Sequence, residues 1–133
     1  MTHTTTTNNF TLTHLNNTCL IRMPSRFTFI ENNSLKQLFE QISNSGKLVT
    51  KMILDLGQTT FIDSAGLVGL CQILRLAKEN NIGLTFLSFS PQVNIVLSLA
   101  GLESVFPLEE TAKDIVELKS EKQTPIPVTV FAH

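Results

Sequence analysis

After residue 33 the chain alternates between two hydrophobic periods, and this alternation restricts its fold more than any other feature. Leu35, Leu38, Phe39 and Ile42 recur at i, i+3, i+4 and i+7, the face of an amphipathic helix over residues 33–44. Asn33 or Ser34 can cap its start and Gly46 stops it. Met52-Ile-Leu-Asp-Leu56 is then a short apolar run of strand length. A second helical stripe follows in Leu67, Leu70, Cys71, Leu74 and Ala77, ended by Asn80, Asn81 and Gly83. Leu84 to Ser88 reads as another strand. Ser90 before Pro91 opens a helix with an inner face of Val93, Val96, Leu97 and Ala100, and Gly101 closes it. Val105-Phe106 is expected as a short strand and Thr111 to Leu118 as a last helix.

Helices alternating with apolar strands predict a mostly parallel sheet. Upstream, Phe10, Leu12 and His14 alternate with polar residues, and Thr18 to Met23 forms a second run closed by Pro24. These two strands suit a hairpin. The expected fold is therefore α/β: a single small domain of residues 10–118, a mostly parallel mixed sheet with helices packed on it. Residues 1–9, a Thr/Asn stretch with nothing to bury, are expected as a flexible tail. Residues 119–133, with Pro125 and Pro127, are expected as an extended arm with an apolar end. A length of 133 residues leaves room for one ordinary domain.

Ten basic and eleven acidic residues leave a formal charge of -1, which argues against a phosphate-backbone partner and against attraction to anionic membranes. No apolar run approaches the ~20 residues of a membrane span, and the first residues carry neither the charge nor the apolar core of a signal peptide. Cys19 and Cys71 each sit inside an apolar run, outside any CxxC or Cys/His cluster. They are expected as two buried, reduced thiols in a cytoplasmic protein.

Polar residues break into an apolar context at one strand-to-helix junction, Asp63-Ser64-Ala65-Gly66. Local structure accounts for part of this: Ser64 is a good N-cap, and Asp63 adds negative charge at the positive end of the helix. As a nucleophile elbow the segment fails, since Ile62 stands where G-x-S-x-G needs its first glycine. The histidines, His3, His14 and His133, do not supply a base beside it. Neither nucleotide-binding glycine motif is present. Asp55 and Asp63 lack a third nearby ligand for a metal, and Glu109, Glu110 and Asp114 read as helix-start and solvated charges. No enzyme, cofactor or metal is expected. A phosphate could still be hosted by free N–H groups at this helix start, either as a ligand or covalently attached.

At these residues the chain resembles the STAS domain of bacterial anti-sigma factor antagonists. Ile53-Leu-Asp-Leu56 followed by Phe61-Ile-Asp-Ser-Ala-Gly-Leu67 is similar to the strand and D-S-[SA]-G-L switch motif of that family. Ser90 to Leu102 and Phe106-Pro107 are similar to its next helix and closing strand. The resemblance implies Ser64 as a phospho-acceptor, Asp63, Ala65, Gly66, Thr60, Ser25 and Thr28 as partner-binding residues, and Gly66 as a point of close approach for a partner backbone. It implies as partners an anti-sigma factor that is also a serine kinase, and a serine phosphatase. Nucleic acid and membrane insertion are not implied, and a homodimer stays open. One departure stands out: the family's G-x-x-D pattern reads Ser25-Arg26-Phe27-Thr28 here, with Thr28 in place of the aspartate. A constitutive STAS adaptor of a transporter ATPase or signalling complex is the alternative.

Overall fold

The computed structural model describes residues 3–7 and 9–108. In chain order the elements are β1 (His3–Thr7), β2 (Phe10–Leu15), β3 (Thr18–Arg22), β4 (Arg26–Phe27), α1 (Phe29–Ser43), β5 (Lys51–Leu56), β6 (Phe61–Ile62), α2 (Ser64–Glu79), β7 (Gly83–Phe89) and α3 (Pro91–Leu99). One five-stranded sheet runs β1-β2-β3-β5-β7, and β4 pairs with β6 in a separate two-stranded ribbon. The pairings β3–β5, β5–β7 and β4–β6 are parallel; β1–β2 and β2–β3 are antiparallel. The sheet is mixed and parallel from β3 onward, because only there do helices carry the crossovers.

Both hairpins turn on asparagine. Thr7 pairs with Phe10 and Leu15 with Thr18, leaving two-residue loops whose Asn9 and Asn16 take φ of 68° and 55°. Asparagine tolerates this left-handed region better than other residues with a β-carbon. For His3–Thr7 the first hairpin differs from the sequence expectation of a flexible tail. Backbone pairing with β2 needs no buried side chain, so a Thr-rich segment followed by Asn-Asn forms an edge strand where an amphipathic search finds nothing.

The main core lies between one sheet face and the helices. It joins Phe10, Leu12, Cys19, Ile21, Met52, Leu54, Leu84 and Phe86 from strands to Leu35, Leu38, Phe39, Ile42, Leu70, Ile73, Ala77, Val93 and Leu97 from helices. The stripes expected for the first and third helices therefore face inward, except that Ala100 is an exposed C-cap. The α2 stripe is rotated. Gly66, Gly69, Leu70, Ile73 and Ala77 are its buried residues, Leu67 and Leu74 pack at the edge, and Cys71 is exposed. The rotation arises because α1 packs on the glycine side of α2, where small residues let the helices approach.

Cys19 and Cys71 thus part company. Burial pushes the Cys19 thiol up to about 12, while Cys71 faces solvent. A thiol reagent at neutral pH is expected to modify one cysteine per native chain, Cys71. Peptide mapping of the modified protein checks this; rapid modification of Cys19 before denaturation contradicts it.

Val105-Phe106 is not a strand. Phe106 is buried against Phe86, 5.0 Å between ring centroids, within a turn, and the sheet-like contact falls later, as a single parallel bridge from Phe86 to Leu108. The expected helix over 111–118 and arm over 119–133 lie outside the described residues. Among the described residues no helix is long and apolar enough to cross a membrane.

Candidate functional site

The ribbon of β4 and β6 brings the two candidate segments together. Arg26 pairs with Phe61 and Phe27 with Ile62, so the next residues, Thr28 and Asp63, lie side by side as the N-caps of α1 and α2. The preceding loops are tied as well. The Ser25 carbonyl accepts from the N–H groups of Thr60 (2.8 Å) and Phe61 (3.1 Å) and from the Thr60 hydroxyl (3.3 Å). Buried Thr59 donates its hydroxyl to the Pro24 carbonyl at 2.8 Å. All seven residues implied by the motif, Ser25, Thr28, Thr60, Asp63, Ser64, Ala65 and Gly66, converge on this end of the domain.

Their roles differ from the sequence expectation at three points. The cap of α2 is Asp63, not Ser64: its Oδ1 accepts from the Gly66 N–H at 2.9 Å. Ser64 is displaced to the first helical position and is exposed, and among the described residues no hydrogen bond claims its hydroxyl. The capping duty that would have occupied the serine falls on its neighbour.

Gly66 is buried, and the backbone it approaches belongs to this chain. A β-carbon built on Gly66 would stand 2.1 Å from the Phe27 carbonyl oxygen and 2.7 Å from Ile62 Cγ1. The glycine lets α2 start directly against β4, so its expected role toward a partner's backbone is replaced by an internal one.

Helix α1 begins at Phe29, four residues before the expected Asn33, with Thr28 as its N-cap. Glu31 takes the Thr28 N–H at 2.9 Å and the Thr28 hydroxyl at 2.6 Å. The signal was present as Thr28-Phe-Ile-Glu31, the S/T-x-x-E pattern of a capping box, hidden by the exposed apolar pair between its ends. The Thr28 hydroxyl, ahead of backbone N–H groups and Arg26, holds the Glu31 carboxyl below its ordinary value. A depressed carboxylate stabilises the fold above its unfolded-state pKa and ceases to do so as pH falls through the folded value. Thr28→Ala is accordingly expected to cost about 1 kcal/mol at neutral pH, with the deficit shrinking on acidification; urea titrations at both pH values measure it.

Periodicity did not single out Arg26, Phe61, Phe29 and Ile30. The Arg26 guanidinium lies 4.7 Å from the Phe61 ring centroid. Phe29 and Ile30, at the start of α1, are 64% and 70% exposed, and Phe61 and Val68 are also exposed. Exposed apolar side chains and one stacked arginine thus flank the two helix starts. Asp55, the other carboxylate considered for a metal, is buried and accepts from the Gly57 N–H and the Ser88 hydroxyl, both at 2.8 Å, with Arg22 3.8 Å away. That is a structural role.

The same arrangement of strands and helices occurs in solved structures. The Bacillus cell fate determinant SpoIIAA in its phosphorylated form aligns with a TM-score of 0.61 at 19% identity, over 81% of this chain and 96% of that one. An anti-sigma factor antagonist candidate from Thermotoga maritima, tm1081, aligns at 0.64 and 21% identity, over 84% and 96%. The murine anion transporter Slc26a9 aligns at 0.58 and 14% identity, over 81% of this chain and 18% of the transporter. At these identities the likeness is one of fold. The STAS domain family model matches residues 9–115, a span that runs from the first hairpin past α3 and holds both helix starts around Ser64. This chain belongs to the STAS domain family.

Proposed function

We propose that this protein is a non-catalytic anti-sigma factor antagonist of a partner-switching pathway in the cytoplasm. Unphosphorylated, it binds an anti-sigma factor that is also a serine kinase; phosphorylated on Ser64, it is released, and a serine phosphatase resets it. The observation that carries this reading is the exposed Ser64 hydroxyl at the first position of α2, relieved of capping by Asp63. In the modification step the Ser64 oxygen takes the γ-phosphoryl group of ATP, ADP leaves, and the hydroxyl proton is released. The helix start accommodates the product. The N–H groups of Ser64 and Ala65 precede the first intrahelical bond, and the positive end of α2 favours added negative charge. Asp63, Ala65, Thr60, Ser25 and Thr28, with the apolar rim of Phe29, Ile30 and Phe61, form the surface on which a partner would close.

A second reading, a constitutive adaptor, draws on Thr28. Its hydroxyl is committed to Glu31, so the position where the family usually carries an aspartate offers no carboxylate. One experiment separates the two. Incubation with a cognate anti-sigma kinase and ATP is expected to place one phosphoryl group per chain on Ser64, none on Ser64→Ala. Phosphorylation elsewhere with Ser64 unmodified would remove the switch and favour the adaptor.

A further inference from the structure

Helix α2 carries an outward stripe opposite the one it buries. Ser64, Val68, Cys71 and Arg75 fall at i, i+4, i+7 and i+11, and all four are exposed. A groove of about 350 Å³ opens along this stripe, lined by Leu67, Val68, Cys71, Gln72, Arg75 and Leu102. Its far wall is set by the way α3 ends. Gly101, at φ 71°, allows its own N–H to reach the Ser98 carbonyl at 3.1 Å and the Leu102 N–H to reach the Leu97 carbonyl at 2.8 Å. This paired helix ending turns the chain and sets Leu102 against the core at the flank of α2. The lining is apolar apart from Gln72 and one cation. Arg75 has no ion-pair partner among the described residues.

We infer that this groove is a docking site for the anti-sigma kinase that modifies Ser64. The kinase seats an apolar side chain between Leu67, Val68 and Leu102 and sets a carboxylate on Arg75. The inference rests on the function proposed above and deepens it, giving the partner a contact outside the phosphorylation point. Two observations select this occupant. The first is continuity. Groove and Ser64 share one stripe of α2, and Arg75 lies eleven residues, about 16 Å, along the axis from Ser64. A stable protein interface takes about 800 Å² from each side, so a partner that engages Ser64 extends over the groove as well. The second is charge. The only charged side chain in the lining is an arginine, and a cation covered by a partner without a matching anion is costly. The same groove on a second copy would bring another arginine and no carboxylate. Docked there, the kinase is selected by residues that it does not modify.

Cys71 lies in the groove and serves as its reporter. The native full chain is mixed with saturating cognate anti-sigma kinase, without ATP so that Ser64 stays unmodified, and maleimide attachment to Cys71 is followed by mass spectrometry. The kinase is expected to slow attachment at least tenfold. Arg75→Glu is expected to weaken binding at least tenfold. Lys78→Glu, the same change of charge on α2 but outside the groove, is expected to leave it within twofold. The footprint is taken on the native chain, so it decides even where Arg75→Glu is unstable. A complex in which Cys71 reacts at its free rate overturns the docking site and leaves the Ser64 switch standing. Equal losses from Arg75→Glu and Lys78→Glu also overturn it, since the partner then reads overall charge. Protection of Cys71 at raised protein concentration without kinase overturns it in favour of a second copy. If no complex forms at all, the inference and the proposed partner fall together.

Discussion

A Ser64→Asp variant is expected to lose more than a hundredfold in affinity for the anti-sigma partner while melting no lower than the wild type. The two halves of this result come from different fields acting on one atom position. Within the chain, a carboxylate at the first helical residue meets the positive end of α2, an interaction worth about 0.3–1 kcal/mol in favour of the fold. Toward a partner surface shaped for a neutral hydroxyl beside the Asp63 carboxylate, the new charge is repelled. Two unit charges ~5 Å apart at an effective dielectric of ~20 interact by roughly 3 kcal/mol, more than a hundredfold in binding. Titration calorimetry with the partner and thermal unfolding of the free protein read the two effects separately. Unchanged affinity would leave the adaptor reading in place. Loss of both affinity and stability would mean that the substitution acts through the fold and says nothing in favour of a switch.

Gly66→Ala carries the largest expected cost to stability, about 2–3 kcal/mol, or a fall of roughly 10 °C in Tm. The sign is not obvious from the sequence. In an exposed helix interior, alanine gains ~1 kcal/mol over glycine. Here the added β-carbon would stand 2.1 Å from the Phe27 carbonyl oxygen, a backbone atom held by the β4–β6 ribbon, so relief requires α2 to move away from β4. Gly69→Ala makes a useful contrast. Its β-carbon meets the Asn32 amide, at 2.3 Å from Oδ1, and a side-chain amide can turn aside where a carbonyl cannot. Its cost is expected to be smaller, about 1 kcal/mol. Denaturant unfolding of the two variants measures both; a Gly66→Ala protein as stable as wild type would show that the close approach between α2 and β4 is not required. Because the shift of α2 would carry Ser64 with it, Gly66→Ala is also expected to slow phosphorylation more than Gly69→Ala does.

Much of this was legible in the chain itself. The core faces of α1 and α3, the central strand β5 and the β2–β3 hairpin follow from period and turn chemistry, because burial of a repeated face is a local pattern. The convergence of Asp63-Ser64 with Ser25 and Thr28 came from motif resemblance, and parallel pairing of β4 with β6 is what brings those residues to one end. Periodicity could not have shown it: a two-residue strand has no period to read.

What the sequence determined alone is the helices α1 to α3, the strands β2, β3, β5 and β7 and the presence of one polar junction among them, since propensity, capping and hydrophobic spacing act over a few neighbouring residues. The tertiary structure decided which side chain does which job there. Asp63 rather than Ser64 caps α2, Thr28 is bound to Glu31, Gly66 faces Phe27 and Cys71 turns outward. Gly66 and Cys71 depend on what packs opposite, a contact between residues far apart in the chain; the two caps are local, spanning three residues each, but which of the adjacent candidates takes the duty follows from where β4 and β6 hand over to their helices.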